Sequence, residues 1–290
     1  MRYCYIRCVI SLYAKRKGVS MNAILQLEPS WQKWIVENIN RGVPFNNIIN
    51  TLFERGFYNA AYELMSQQSE VINIPYIDVS NNSIALPDRT VKLTSTFYPP
   101  FVAVIDSFLS NKECDQLIKS SEGKLKNSRV VSPIDGSFAD HDARTSTSCG
   151  FQRGATDLIT KIEKRIEALL HWPEIRGEGL QVLHYEKGAE YRPHFDFFDP
   201  KHPNHKEITG KGGQRVGTLL MYLSDVESGG GTCFPKINLE VRPKKGTALY
   251  FSNTKFDGSV EPLSLHAGMP VIKGTKYLAT KWLRTNAYVS

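Results

Sequence analysis

Between residues 28 and 68, apolar positions recur at three- and four-residue steps. Trp31, Trp34, Ile35 and Ile39 follow Pro29, which can open a helix, and precede Gly42, which can end one. Phe45, Ile48, Ile49, Leu52 and Phe53 repeat the pattern after Pro44 and stop at Gly56. Phe57, Ala60, Ala61, Leu64 and Met65 give a third stripe. Three short amphipathic helices with short connections make a small bundle, with Trp31, Trp34, Phe45, Phe53 and Phe57 as its expected centre. Residues 72–96 carry Asn81-Asn82-Ser83 and Pro87 and lead into Pro99-Pro100. They read as a linker.

The period changes after Phe101. Phe101–Asp106 reads as a strand. Ser110 and Glu113 have capping-box spacing ahead of Cys114, Leu117 and Ile118. Residues 124–149 are polar and turn-rich. Ala155, Leu158, Ile159, Ile162, Ile166, Leu169 and Leu170 mark the clearest long helix. Beyond Gly179 strand follows strand: 180–186, 191–198, 215–224, 231–235, 246–252, 264–272 and 276–284. Strands in series without helices between them imply an antiparallel sandwich or barrel. The fold class expected is α+β: a jelly roll (double-stranded β-helix) with flanking helices, preceded by a small all-α domain. The expected partition is 1–20 as an extension, 21–71 helical, 72–96 linker and 97–290 catalytic. The polar segments 126–148 and 199–214 are expected to be lids.

Composition narrows the class. The 290 residues are 41% hydrophobic and 22% charged, as in a globular protein. No run of eighteen apolar residues is present, so no membrane-spanning helix is expected. The net charge is +7, but Arg2, Arg7, Lys15, Arg16 and Lys17 lie before Met21 and no acid does. From Met21 onward 31 basic residues face 29 acidic ones. No nucleic-acid footprint remains. Residues 1–20 fit a targeting peptide poorly and read as a disordered or spurious extension. Five scattered cysteines, Cys4, Cys8, Cys114, Cys149 and Cys233, form neither a disulfide framework nor a zinc motif. They favour a reducing, cytoplasmic setting. Nothing in the sequence sets an oligomeric state.

The chemistry concentrates in Tyr191-Arg192-Pro193-His194-Phe195-Asp196-Phe197. On a strand, His194 and Asp196 share a face and Phe195 points away. His266, in Ser264-Leu265-His266-Ala267-Gly268, is the natural third donor. Two histidines and a carboxylate on one face of a metal leave positions free for a cosubstrate and dioxygen, which suits non-haem Fe(II). A lone His-x-Asp is more often a hydrogen-bonded pair or a solvated edge. Lys276, ten residues after His266, raises the weight of the metal reading, because a lysine inside a barrel needs an anion. A dicarboxylate supplies one.

His194-x-Asp196, His266 and Lys276 together resemble the prolyl 4-hydroxylase branch of the 2-oxoglutarate/Fe(II) dioxygenases. Gly179–Tyr185, Tyr222–Val226, Gly229–Pro235, Pro243–Ala248, His266–Val271 and Lys276–Arg284 follow in that family's order. The likeness spans about 97–287 and leaves 21–92 uncovered. It implies that His194, Asp196 and His266 hold the iron and that Lys276 pairs with the distal carboxylate of 2-oxoglutarate. It further implies that Tyr185 hydrogen-bonds that carboxylate, that Thr232 lies on a cosubstrate-facing strand, and that Arg144 lies near the peptide groove. Barrel packing is the bland reading for Tyr185, Thr232 and Trp282. Tyr277 stands where the family often has Trp. Hydroxylation of a proline-containing peptide or protein, at C4 and with L-ascorbate keeping the iron ferrous, is what the resemblance implies. The alternatives are the same chemistry on another side chain, a free amino acid or a small metabolite, and an inactive binding module. The intact set His194, Asp196, His266 and Lys276 argues against the last.

Overall fold

The computed structural model describes residues 22–66, 74–79, 81–131, 138–140 and 144–289. The extension 1–20 and parts of the first expected lid lie outside them. The chain divides into two compact units, the smaller holding the helices up to Ser66 together with 78–81 and 256–258, the larger holding 74–77, 82–255 and 259 onward.

In the smaller unit the three expected helices run over Pro29–Asn40, Phe45–Glu54 and Tyr58–Ser66, after one extra turn at Asn22–Leu25. The core differs from the expected one. Ile35, Ile48, Ile49, Leu52, Phe53, Ala60, Ala61 and Leu64 are buried, whereas Trp31, Trp34, Phe45 and Phe57 are half-buried. The cause is Gln32. Its Nε2 donates to the carbonyls of Leu25 and Leu27, which turns the Gln32, Ile35 and Val36 face inward and moves the tryptophans to the flank. There Trp31 meets Trp34 and Phe57 edge-on at 5.4 and 4.8 Å.

The larger unit mixes helices with two large antiparallel sheets and two strand pairs, 228–229 with 271–273 and 129–131 with 138–140. Nine strands make the first, in the order 83–86, 89–97, 102–106, 248–252, 215–222, 276–284, 180–185, 147–151 and 126–127. Four make the second, in the order 239–241, 232–234, 266–268 and 191–194. A cluster containing Leu183, Tyr222, Leu249 and Phe251 from the first sheet and Phe234 and Val241 from the second is buried between them. The helix Asn111–Ser121 carries the capping box: the Ser110 hydroxyl accepts from the Glu113 amide, and Glu113 reaches back to the Ser110 amide. Thr156 caps Asp157–Leu170 through its hydroxyl alone, which accepts from the Ile159 amide.

Three expectations change. The linker 72–96 contains a hairpin, Ser83–Leu86 paired with Arg89–Phe97 around Pro87-Asp88. Val91 and Leu93 do alternate with Thr90, Lys92 and Thr94, but the polar run Thr94-Ser95-Thr96 and the surrounding Asn and Pro break the pattern. The strand expected over 264–272 is two strands, His266–Gly268 and Val271–Lys273, because Pro270 between them has no N–H to give the ladder. The strand expected over 191–198 stops at His194. Asp196 leaves the sheet because its buried carboxylate finds a donor on the opposite sheet, the Thr218 hydroxyl at 2.8 Å. Of the expected lids, 199–214 holds a short helix, His205–Thr209. Its ends are clamped, since Gln214 both accepts from the Phe198 amide and donates to the Phe198 carbonyl.

Candidate active site

His194 ends its strand and His266 begins the neighbouring one, and antiparallel pairing puts them directly opposite each other. Their rings lie 4.3 Å apart. Asp196, in the bend after His194, brings Oδ1 within 3.8 Å of His194 Nε2 and Oδ2 within 3.6 Å of His266 Nε2. One ligand atom from each of the three lies within 4.8 Å of the others, in the only such cluster among the described residues.

The backbone decides which ring nitrogens face this point. His194 Nδ1 sits 2.8 Å from the Arg192 carbonyl and His266 Nδ1 sits 2.9 Å from the Ser264 carbonyl. A carbonyl only accepts, so each Nδ1 carries the hydrogen and each Nε2 keeps its lone pair. Burial, reinforced by the neighbouring His266, pushes the His194 pKa down to about 3 and keeps the ring neutral. Burial works against charge on Asp196, but His266, His194, Arg215 and the Thr218 hydrogen bond together hold its carboxyl below the usual range. Two neutral imidazole nitrogens and an ionised carboxylate converging from two strands fit a divalent iron.

The cluster opens into a narrow cleft. Lys276 lies in its wall, 1% exposed. Its strand pairs it with Tyr185, whose ring is 5.3 Å from Lys276 Nζ. Burial alone pushes its pKa down to about 7, and no acid counters that effect. An ammonium buried without a carboxylate is costly and leaves a place for an anionic ligand. Thr232 also lines the cleft, and its Oγ1 accepts from the Tyr222 hydroxyl at 2.8 Å. Since that bond uses the oxygen as acceptor, the Thr232 hydrogen stays available to a ligand. Buried Arg144 donates to the Ser146 hydroxyl and the Gln181 side chain and lies 4.8 Å over the Tyr191 ring. The fold thus brings all seven residues singled out in the sequence, His194, Asp196, His266, Lys276, Tyr185, Thr232 and Arg144, to one cleft.

Residues 180–284 match the family model described as 2OG-Fe(II) oxygenase superfamily. A protein of Arabidopsis thaliana named "Prolyl 4-hydroxylase 5" is 39% identical over 220 residues, 69% of this chain and 73% of that protein. Another from the same plant, "Probable prolyl 4-hydroxylase 10", is 40% identical over 220 residues, 69% of this chain and 74% of the relative. The chain belongs to the prolyl 4-hydroxylase family. This prolyl 4-hydroxylase family member is an oxidoreductase, a dioxygenase that uses Fe(II) and 2-oxoglutarate.

Beyond those seven residues, Tyr191 and Trp282 also line the cleft of this oxygenase, and Arg215 packs against Trp282 from outside the lining. Tyr191 stacks on His194 with ring centroids 3.5 Å apart; three positions from that histidine, it follows no strand period. Trp282, set aside as packing, has a buried Nε1 without a partner in the wall of the cleft. Arg215 lies 4.0 Å over the Trp282 ring and is held by both Glu178 oxygens, at 2.6 and 2.9 Å. Strand alternation from Thr218 through Leu220 to Tyr222 was the available clue to the inward face of that strand. The partners it meets come from distant strands. No helix of the described residues is long and apolar enough to cross a membrane.

Proposed function

We propose that this chain hydroxylates proline within a peptide or protein, at C4, with succinate and carbon dioxide as coproducts. In this reading His194, Asp196 and His266 hold Fe(II), and Lys276 pairs with the distal carboxylate of 2-oxoglutarate. Tyr185 and Thr232 bind the same cosubstrate, and Arg144 faces the peptide. The observation that carries it is the buried Lys276, lacking an acid partner, in one cleft with three converging ligand atoms. A metal site alone serves many chemistries, whereas a metal site beside a dicarboxylate receptor serves few.

When bound, Fe(II) and 2-oxoglutarate supply the oxidation that inserts one oxygen atom of dioxygen into the substrate C–H bond. The protein holds both imidazoles in one tautomer through the Arg192 and Ser264 carbonyls. Lys276 takes up a proton as the dicarboxylate enters and thereby fixes its depth in the cleft. Thr232, its acceptor side used by Tyr222, turns its hydrogen to the ligand. The burial of Leu220, Leu278 and Leu183 along the same walls keeps water from the reacting atoms.

The two sheets form a double-stranded β-helix in this reading, supported by the core they share. The finer partition sets a helical domain at 21–71 before the oxygenase domain, supported by the division into two units. L-Ascorbate as reductant follows from the family. A cytoplasmic setting is supported by Cys114, Cys149 and Cys233 being free thiols.

The test is succinate formation by the full-length protein on a library of proline-containing peptides, with fragment masses locating the added oxygen. Peptide-dependent succinate and an oxygen placed on proline are expected. Oxidation of free amino acids alone, or of a residue other than proline, would overturn the reading.

A further inference from the structure

The ligand set is tied together from behind by a single buried residue, Asn253. The Thr218 hydroxyl lies 2.8 Å from Asp196 Oδ2, and an ionised carboxylate only accepts, so Thr218 donates there. Its oxygen must then accept from elsewhere, and Asn253 Nδ2 stands 2.9 Å away. This order fixes the orientation of the Asn253 amide: its nitrogen faces Thr218, and its Oδ1 is left without a partner. Thr218 and Asn253 are both fully buried, so water does not substitute for either bond.

The backbone of Asn253 reaches the other side of the site. Its carbonyl accepts from the Glu261 amide at 2.9 Å, and its own amide donates to the Val216 carbonyl at 3.0 Å. The Glu261 carbonyl in turn accepts from the amide and the hydroxyl of Ser264. The Ser264 carbonyl is the acceptor that sets the His266 tautomer. One residue thus anchors two hydrogen-bond paths, one ending on Asp196 and one on His266.

We infer that Thr218 and Asn253 are positioning residues for the metal centre: Asn253 orients the Thr218 hydroxyl, and Thr218 holds the Asp196 carboxylate in its ligating rotamer. The inference rests on the reading of His194, Asp196 and His266 as the metal ligands. Without the Thr218 bond, Asp196 would need to be reordered on metal entry, and its unpaired oxygen would stay buried. Plain barrel packing, by contrast, needs only the shape of the threonine, which valine reproduces.

The experiment is an anaerobic titration of the full-length metal-free protein with Mn(II), read by loss of the free Mn(II) EPR signal. Melting of each metal-free protein is recorded in parallel. Thr218→Val is expected to weaken Mn(II) binding by about 10- to 100-fold, while Thr218→Ser keeps the wild-type affinity. Metal-free Thr218→Val should melt below metal-free Thr218→Ser, because the Asp196 oxygen and the Asn253 amide then lose their partner in the core. Asn253→Ala should weaken binding in the same direction, and adding it to Thr218→Val should cost nothing further, because it acts through Thr218. Wild-type Mn(II) affinity in Thr218→Val while His266→Ala has lost binding overturns the positioning role and leaves the ligand assignment standing. Wild-type affinity in His266→Ala overturns the ligand assignment and this inference with it. Thr218→Ser as weak as Thr218→Val shows that the hydroxyl is not what matters. If Thr218→Val does not fold, Asn253→Ala decides: unchanged Mn(II) affinity there removes Asn253 from the site.

Discussion

Replacing Lys276 by methionine should stabilise the cosubstrate-free protein while removing its affinity for 2-oxoglutarate. Lys276 is 1% exposed and has no acid beside it, and burial takes its pKa from the ordinary 10.5 to about 7. At 1.36 kcal/mol per pH unit this corresponds to about 5 kcal/mol against the charged form. The sign follows from proton uptake. Below pH 7 the folded and unfolded chains both carry the proton, and the full penalty is present. Between pH 7 and 10.5 the unfolded chain binds more protons than the folded one, so wild-type stability should rise by about 1.4 kcal/mol per pH unit. Methionine is unbranched and of similar length, so it fills the space without the charge. Lys276→Met should therefore gain several kcal/mol at pH 6 and melt higher by roughly 2–4 °C for each. Its pH dependence above 7 should flatten. The dicarboxylate, bound by a charged Lys276, raises that pKa, so wild-type affinity for 2-oxoglutarate should be full below pH 7. It should fall by up to about tenfold per pH unit above it. Differential scanning calorimetry at pH 6 and 9 and calorimetric titration with 2-oxoglutarate measure both. A Lys276→Met protein that melts below wild type at pH 6, or that still binds 2-oxoglutarate as tightly, would refute the argument.

Two further outcomes follow from the packing around the site. Arg165 is fully buried and binds Asp88, Glu113 and the Phe108 carbonyl. Arg165→Met should cost about 1–3 kcal/mol, because both carboxylates lose their buried partner but keep Arg89 and Lys161; an unchanged urea midpoint at pH 7 would sink this. The Arg165 hydrogen bond takes Asp88 from 3.8 to about 2. Burial opposes charge on Glu113, yet Arg165, the Ser110 amide and Arg89 bring it from 4.5 to about 2. Their stabilisation is complete above pH 4.5 and disappears as pH falls towards 2. The wild type should therefore lose stability steeply over that window, and Arg165→Met should lose less. A chain starting at Ile74 should fold and bind Mn(II), because Pro75 accepts from the Tyr250 hydroxyl and Tyr76 stacks on His171. A chain starting at Ser95 should not, since it cuts the Arg89–Phe97 strand and removes Asp88 from Arg165. Equal melting of the two chains by circular dichroism would contradict this.

Local chemistry was readable from the residues alone. The helices at Pro29, Phe45 and Asp157, the capping box at Ser110 and the run of strands after Gly179 rest on period, caps and turn residues, which act over a few positions. His194 and Asp196 were legible from their two-residue spacing, Lys276 from the cost of an inward-facing lysine, and the set with His266 from its resemblance to the prolyl 4-hydroxylase branch. Tertiary structure decided the rest. Period two suggested that His194 and Asp196 share a strand face; they do converge, but through a bend that the Thr218 bond on the other sheet draws inward. The inward turn of Gln32 came from two carbonyls five and seven residues away, a demand no apolar pattern records. The role of Asn253 is of the same kind. It lies 57 positions after Asp196 and 13 before His266, and only the pairing of strands from separate stretches of chain brings it behind both. Spacing along a chain encodes which face a side chain takes; which partner waits on that face depends on long-range register, and that is set by the whole core.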